Sequence, residues 1–174
     1  LELDSNGSAT VTNAGNSLTL SGDISQAGGS RSLTLGGAGT ILLSGTNTYS
    51  GATNIQGGTV QLGQVNELGN SSSVGLSGGT LDVNGNNQAL TNFAGTAGTV
   101  TNSSGTLSQV QFTTPTNPVA SNITSNINVV QNGGILALTG ANNYTGGTTI
   151  TSGTVQAGSA TALGNGSVTN NGGT

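Results

Sequence analysis

The segment ILLSGTNTYSGATNIQGGTVQLGQVNELG, residues 41–69, returns 95 residues later as LALTGANNYTGGTTITSGTVQAGSATALG, residues 136–164, with fourteen of 29 positions identical. The first copy contributes Leu43, Gly45, Asn47, Tyr49, Gly51, Thr53, Ile55, Gly58, Thr59 and Val60, followed by Gln61, Gly63, Leu68 and Gly69. The second answers with Leu138, Gly140, Asn142, Tyr144, Gly146, Thr148, Ile150, Gly153, Thr154 and Val155, followed by Gln156, Gly158, Leu163 and Gly164. A fixed internal period marks an architecture in which a unit that cannot bury its own apolar face stacks on the next. Looser matches extend both ways, so the chain reads as two tandem units, 1–80 and 81–174. The second is longer through insertions near 84–99 and 112–120. Both prolines, Pro115 and Pro118, lie in TTPTNPVA. Proline removes a ladder donor, so this segment is expected to leave the regular fold as a loop. The closing GNGSVTNNGGT would run into the opening LELDSNGSAT as SSVGLSGGT runs into LDVNGNNQAL, and we expect these residues to be one period of a longer array.

Within each unit the apolar residues come two apart, as in Leu33 and Leu35, Ile41 and Leu43, Val60 and Leu62, Val74 and Leu76, Leu81 and Val83. Each such pair faces one side of a short strand. Between them stand Gly-Gly, Asn-Gly and Ser-Gly, residues that accept the positive φ of tight corners. No helical period is visible. Short strands separated by turns, with no charged linkers, predict an all-β chain folded as a right-handed parallel β-helix. Coils of roughly 20 residues and three strands each give about eight coils. Turn asparagines such as Asn47 and Asn142 are expected to stack as amide ladders.

Composition supports a thin core. Only 31% of residues are hydrophobic, and the aromatics number four: Tyr49, Phe93, Phe112 and Tyr144. More than half of the 174 residues are Gly, Thr, Asn or Ser, yet charged residues are 3% and proline is scarce, which separates this chain from ordinary disordered segments. The same composition narrows function. With Arg31 as the one cation and a formal charge of −4, a polyanion would be repelled, so no nucleic-acid partner is expected. Without His, Cys or Lys there are no imidazole or thiolate metal ligands and no such base beside a nucleophile, so neither cofactor nor enzymatic activity is expected. No apolar run reaches the roughly 18 residues of a membrane span, and the first ten residues lack a signal-peptide pattern. Low charge with abundant Asn, Thr and Gly suits an extracellular setting.

The strings LSGTNTYSGATNIQGGTVQLG…LG and LTGANNYTGGTTITSGTVQAG…LG resemble the autotransporter-associated β-strand repeat, also called the passenger-associated transport repeat. Its pattern, G-T-L-x-L-x-G-x-N-x-Y/F-x-G-x-T-x-I-x-x-G-T-L-x-x-G…A-L-G, is met at residues 39–69 and 134–164. The resemblance implies a passenger segment of a large bacterial type V secreted protein, folded as a β-helix and carried across the outer membrane by a C-terminal β-barrel. On this basis we expect a stalk or fibre segment at the bacterial cell surface, serving adhesion, biofilm formation or surface extension. Its partners would be flanking repeats or identical subunits end to end. The alternative is an adhesin module that recognises a glycan or protein, with Thr113, Thr114, Pro115, Thr116, Asn117 and Pro118 as the interaction loop.

Other residues invite sharper readings. Glu2 and Asp4 mimic a paired-carboxylate site, but their alternation with Leu1 and Leu3 makes them an outward-facing solubilising pair, with Asp82 outward at the equivalent position. GGTLDVNGN at Gly78 approaches a calcium-binding repeat but misplaces its Asp, and a hard cation wants more carboxylates. Asn6, Asn122 and Asn143 open glycosylation sequons, which chance supplies in so Asn- and Thr-rich a chain. Tyr49 and Tyr144 are expected to plug a corner or cover the end of the core, with sugar stacking as the alternative, and Arg31 is expected in solvent. The pairs Thr10 and Thr12, Thr99 and Thr101, and Thr149 and Thr151 suggest the flat threonine face of an ice-binding β-helix, though they occur sporadically.

Overall fold

In the computed structural model, which describes residues 1–68, 70–115 and 118–174, inward apolar residues two apart give strands too short to form a domain alone, and these stack as parallel neighbours into a β-solenoid of about eight turns. One wall stacks Gly7–Val11, Leu33–Gly37, Thr53–Ile55, Val74–Leu76 and Ala94–Gly95. The second stacks Ser17–Leu20, Thr40–Leu43, Thr59–Leu62, Thr80–Asp82, Thr99–Thr101 and Asn122–Ile123. The third begins with Glu2–Leu3 against Ser25–Gln26 and resumes as Gln88–Thr91, Ser108–Thr113, Ile127–Leu138, Thr148–Ala157 and Val168–Asn170; the two long strands turn a corner at Gly133, Gly134 and Gly153, so that their C-terminal ends continue the first wall, where Leu138 bridges Val119. Strand neighbours stand about 4.8 Å apart, which makes the rod on the order of 40 Å long.

Register places like on like. On the second wall Ile41, Val60, Leu81, Val100 and Ile123 pair in succession and are all buried. Leu35, Ile55 and Leu76 do the same on the first wall. On the third, Leu90 pairs with Phe112, whose ring lies 5.4 Å from that of Phe93 at 57°. Burying such a side chain stabilises by about 1.5–3 kcal/mol relative to exposing it, so the narrow core is a sum of coil-by-coil increments. At the N-terminal coil this cover is missing, and Leu1 and Leu18 are exposed.

The corner between the first and second walls is a stack of glycines. Gly58, Gly79 and Gly98 have φ of 62°, 70° and 82°, and a Cβ on Gly79 or Gly98 would stand 2.5 Å from the carbonyl oxygen of the corner glycine one coil below. The recurrent Gly-Thr dipeptide follows from this. Glycine turns the corner and threonine starts the next strand, so Thr40, Thr59, Thr80 and Thr99 stack along one edge of the second wall.

Two details depart from three strands of uniform coil. Between Ser25–Gln26 and Gln88–Thr91 the third wall carries no strand among the described residues; residues 46–50 there cross as a turn in which Thr48 N and Tyr49 N both donate to Ile24 O. Partner residues are also unevenly spaced, from 19 apart at Thr80 and Thr99 to 26 at Gly7 and Leu33. On either side of the prolines, Thr113 ends a strand, Pro115 is buried, Pro118 is exposed and Val119 bridges to Leu138. Thr116 and Asn117 lie outside the described residues. The boundary between the sequence units, at residues 80 and 81, falls within the strand Thr80–Asp82, so one continuous rod spans both.

Candidate functional site

The residues shared by the two repeats converge on the interior. Gly45, Asn47, Tyr49, Gly51 and Thr53 occupy one turn and the strand that follows, and all five are buried. Asn47 joins three coils: Ile24 N below donates to its Oδ1 at 3.0 Å, and its Nδ2 reaches Glu67 Oε1 above at 3.5 Å. Asn142 repeats the device, accepting from Ile123 N at 2.8 Å and donating to Ala162 O at 2.7 Å. The expected amide ladder is therefore corrected. Each asparagine bonds to the coils directly below and above it and none to the other, because a buried amide is satisfied by the polar groups that flank it, main chain in three of the four bonds and the Glu67 carboxylate in the fourth.

Tyr49 is 1% exposed and its hydroxyl shares a hydrogen bond with Thr53 Oγ1 at 2.7 Å, which in turn meets Ser71 Oγ at 2.6 Å. Tyr144 is fully buried and bonds Thr148 Oγ1 at 2.6 Å. Burial raises both tyrosine pKa values, and their hydroxyl partners oppose the shift. A Cβ at Gly45, Gly51, Gly140 or Gly146 would collide with main chain of the coil below, so these glycines allow close stacking. Leu43, Ile55, Val60 and Leu138 are fully buried and Ile150 nearly so; Gly58, Thr59, Gly153, Thr154 and Val155 are partly exposed at corners and strand starts. Neither tyrosine faces solvent, where a sugar could stack.

The carboxylates divide into exposed and buried. Glu2, Asp4 and Asp23 are exposed at the N-terminal end, whereas Asp82, expected in solvent, is buried. Its side chain accepts from Ser103 Oγ at 2.6 Å, Ser103 N at 2.9 Å, Gln61 Nε2 at 2.9 Å and Asn84 N at 2.9 Å. Burial pushes its pKa up, but these donors outweigh burial and hold it below the ordinary value. Glu67 is also buried, with Gly63 N and Gln64 N donating to Oε2, and there burial prevails and raises the pKa. Arg31, expected in solvent, is half-buried with its Nε unpartnered. Among the described residues no three acidic, His or Cys side chains cluster as metal ligands. The threonine pairs at Thr10, Thr99 and Thr149 start on three different walls, so they form no common face.

One open groove of about 240 Å³ opens where the third wall resumes, lined by Val65, Asn66, Asn87, Gln88, Ala89 and Gln109, with Gln111 at its side. Ala89 N donates to Asn66 Oδ1 at 2.9 Å and Gln109 N to Asn87 Oδ1 at 2.7 Å, so both asparagine carbonyls hold the backbone corner. Gln88 is 2% exposed; its Nε2 donates to Gln64 O at 2.7 Å while Oε1 has no partner. Nothing in the sequence pattern marks this groove, because it joins three coils with different loop lengths.

A parallel solenoid whose repeat-constant side chains are turned inward is a repeat scaffold. The passenger-associated-transport-repeat family model matches residues 33–62 and 129–157, so the chain carries two copies of that repeat. The repeat family implies an autotransporter passenger segment and, with it, a secreted or cell-surface setting. No curated protein and no solved structure matches the chain.

Proposed function

We propose that this segment is a length of non-enzymatic stalk or fibre, extending a bacterial surface protein for adhesion or biofilm formation. The observation that carries the reading is the direction of the signature. Inside the rod Asn47 and Asn142 bond to the coils below and above, Thr53 reaches Ser71 and Tyr144 reaches Ala162 in the next coil, while the Tyr49–Thr53 and Tyr144–Thr148 pairs brace each coil internally. What the repeat preserves between its copies is cohesion along the axis, the property a stalk needs. Its partners are flanking repeats of the same chain or identical subunits meeting end to end, since a terminal coil is an open sheet edge. Nucleic acid is not among them, with a single cation in the chain. Nor does catalysis fit, since both buried carboxylates already accept main-chain donors.

The intact mass of the native protein under denaturing conditions, together with negative-stain images, tests this. A mass far above 16.6 kDa and rods much longer than this segment are expected. A compact particle with no rod would overturn the reading.

A further inference from the structure

Each wall of the rod ends below in a strand with a neighbour on one side only: Glu2–Leu3 on the third wall, Gly7–Val11 on the first and Ser17–Leu20 on the second. At the upper end Val168–Asn170 is likewise paired only from below, and among the described residues the end of the strand Thr148–Ala157 is met from above by Thr174 alone. The inward columns are open at both ends. Leu18 begins the column that runs from Ile41 to Ile123 and is 36% exposed, and Val168 ends the column of Val110, Val129 and Thr148 and is 50% exposed. On the first wall Ala9 begins the column of Leu35, Ile55, Leu76 and Gly95. Ala120 N donates to Gly95 O, and the column continues through Val119 and Leu138 to Ala157. Thr174 covers Thr154 and leaves Ala157 exposed. Charge tells the two ends apart: Glu2, Asp4 and Asp23 are exposed at the lower one, and no acidic or basic side chain follows Asp82.

We propose that the upper edge of one copy seats the lower edge of a second copy of this chain, head to tail, with Ala9 of the second copy above Ala157 of the first. Two lower edges in contact would bring Glu2, Asp4 and Asp23 of both copies together, and like charges repel. An upper edge adds no charged side chain. Strand direction selects the same joint. Head to tail, the strands stay parallel across the seam and the walls follow in one order, so the joint extends the ladders already inside the rod. Like ends related by a two-fold axis would set those strands antiparallel. The joint covers Leu18 and Val168 and pairs the free ladder groups of both edges. Because it is heterologous and returns the same edge at the far end, it does not close, and copies add into a filament. The inference rests on the stalk reading and adds to it the polarity of the joint and the residues that form it.

Sedimentation velocity of the 174-residue protein from micromolar to millimolar concentration tests the inference. The weight-average mass should rise with concentration through multiples of 16.6 kDa. Leu18→Asp spoils the lower edge and Val168→Asp the upper, so each variant alone should stay monomeric, with circular dichroism establishing that it keeps the fold. Mixed in equal amounts, the two should form a discrete one-to-one complex, since one retains an upper edge and the other a lower edge. A second pair checks the register: Ala9→Cys and Ala157→Cys, in a chain with no cysteine of its own, should cross-link only when mixed. Stacked neighbours about 4.8 Å apart lie within the roughly 4.4–6.8 Å between Cα atoms that a disulfide spans. A parent protein that stays monomeric at all concentrations overturns the joint and leaves a covalent stalk standing. Self-dimers of Leu18→Asp alone or of Val168→Asp alone overturn the polarity, and continued growth of both variants would place the contact on the walls instead of the ends.

Discussion

Tyr49 and Tyr144 hold the same position in the two repeats but stand behind different walls of the solenoid. Tyr49 lies over Ile24 on the third wall, whereas the turn of Tyr144 lies over Ile123 and Ser125 on the second. The same displacement runs through the signature: Leu43 pairs with Leu62 on the second wall while Leu138 bridges Val119 on the first, and Thr53 is on the first while Thr148 is on the third. Followed along the first wall, the offset of 95 residues covers four full turns, from Thr53 through Val74, Ala94 and Val119 to Leu138, and then two more walls to Thr148. The repeat therefore does not fix an angular position. It fixes a relation between a turn and the coils beneath and above it, and that relation is satisfied on any wall.

The clearest test of that relation is Asn142. Asn142→Ala leaves Ile123 N without its partner inside the rod and Ala162 O with only the longer bond from the Tyr144 hydroxyl at 3.5 Å, and a buried polar group left unsatisfied costs about 1–3 kcal/mol. Thermal and urea unfolding should show that loss, while Asn143→Ala, at the exposed neighbouring position, should stay within about 0.5 kcal/mol of the parent. Equal effects from both would show that Asn142 does not hold the coils together.

The two tyrosine hydroxyls should differ although their local sequence is shared. In Tyr49→Phe the hydroxyl of Thr53 keeps Ser71 as a partner, so the loss should be about 0.5–1.5 kcal/mol. In Tyr144→Phe the buried Thr148 hydroxyl loses the side-chain partner it has, and the loss should fall toward about 1–3 kcal/mol. The order of the two unfolding midpoints checks this.

Gly79→Ala should be among the most damaging single-atom additions. The residue has φ of 70°, a region that costs an L-residue about 1–2 kcal/mol, and its Cβ would also meet Gly58 O at 2.5 Å, where backbone on both sides prevents relief. Gly105→Ala, with nothing near its Cβ, is the control and should leave stability nearly unchanged. Comparing the melting temperatures of the two variants decides the matter.

Much of this was legible in the sequence and some was not, for physical reasons. The period-two apolar pairs and Gly-Thr corners predict inward columns such as Ile41, Val60 and Leu81, because strand alternation is local and parallel stacking repeats it. The wall occupied by Tyr144 is not local: it depends on the summed lengths of every intervening corner, and those vary from coil to coil. Asp82 looked like an outward residue, and it does leave the core side of its strand. What buries it are Ser103 and Gln61, each 21 residues away, and no neighbour in sequence signals them. Glu67 and the groove beside it were missed likewise, since the second repeat has Ala162 where the first has Glu67.

The buried acids give stability two opposite dependences on pH. Asp82 has its folded pKa depressed, so its contribution is present above the unfolded value and is lost as pH falls through the folded one. Glu67 has its folded pKa raised, so its contribution is complete below the unfolded value and is lost as pH rises through the folded one. Asp82→Asn should therefore be destabilising at neutral pH, with the gap to the parent closing in acid. Glu67→Gln, which mimics the protonated acid and keeps an acceptor for Gly63 N and Gln64 N, should improve relative to the parent as pH rises above the ordinary carboxyl range. Melting temperatures of the three proteins across acid to neutral pH check both signs. If the difference between Glu67→Gln and the parent did not grow with pH, the carboxyl group would be ionised in the fold without penalty, and its burial between Asn47 and the turn at Gly63 would have to be relieved by water.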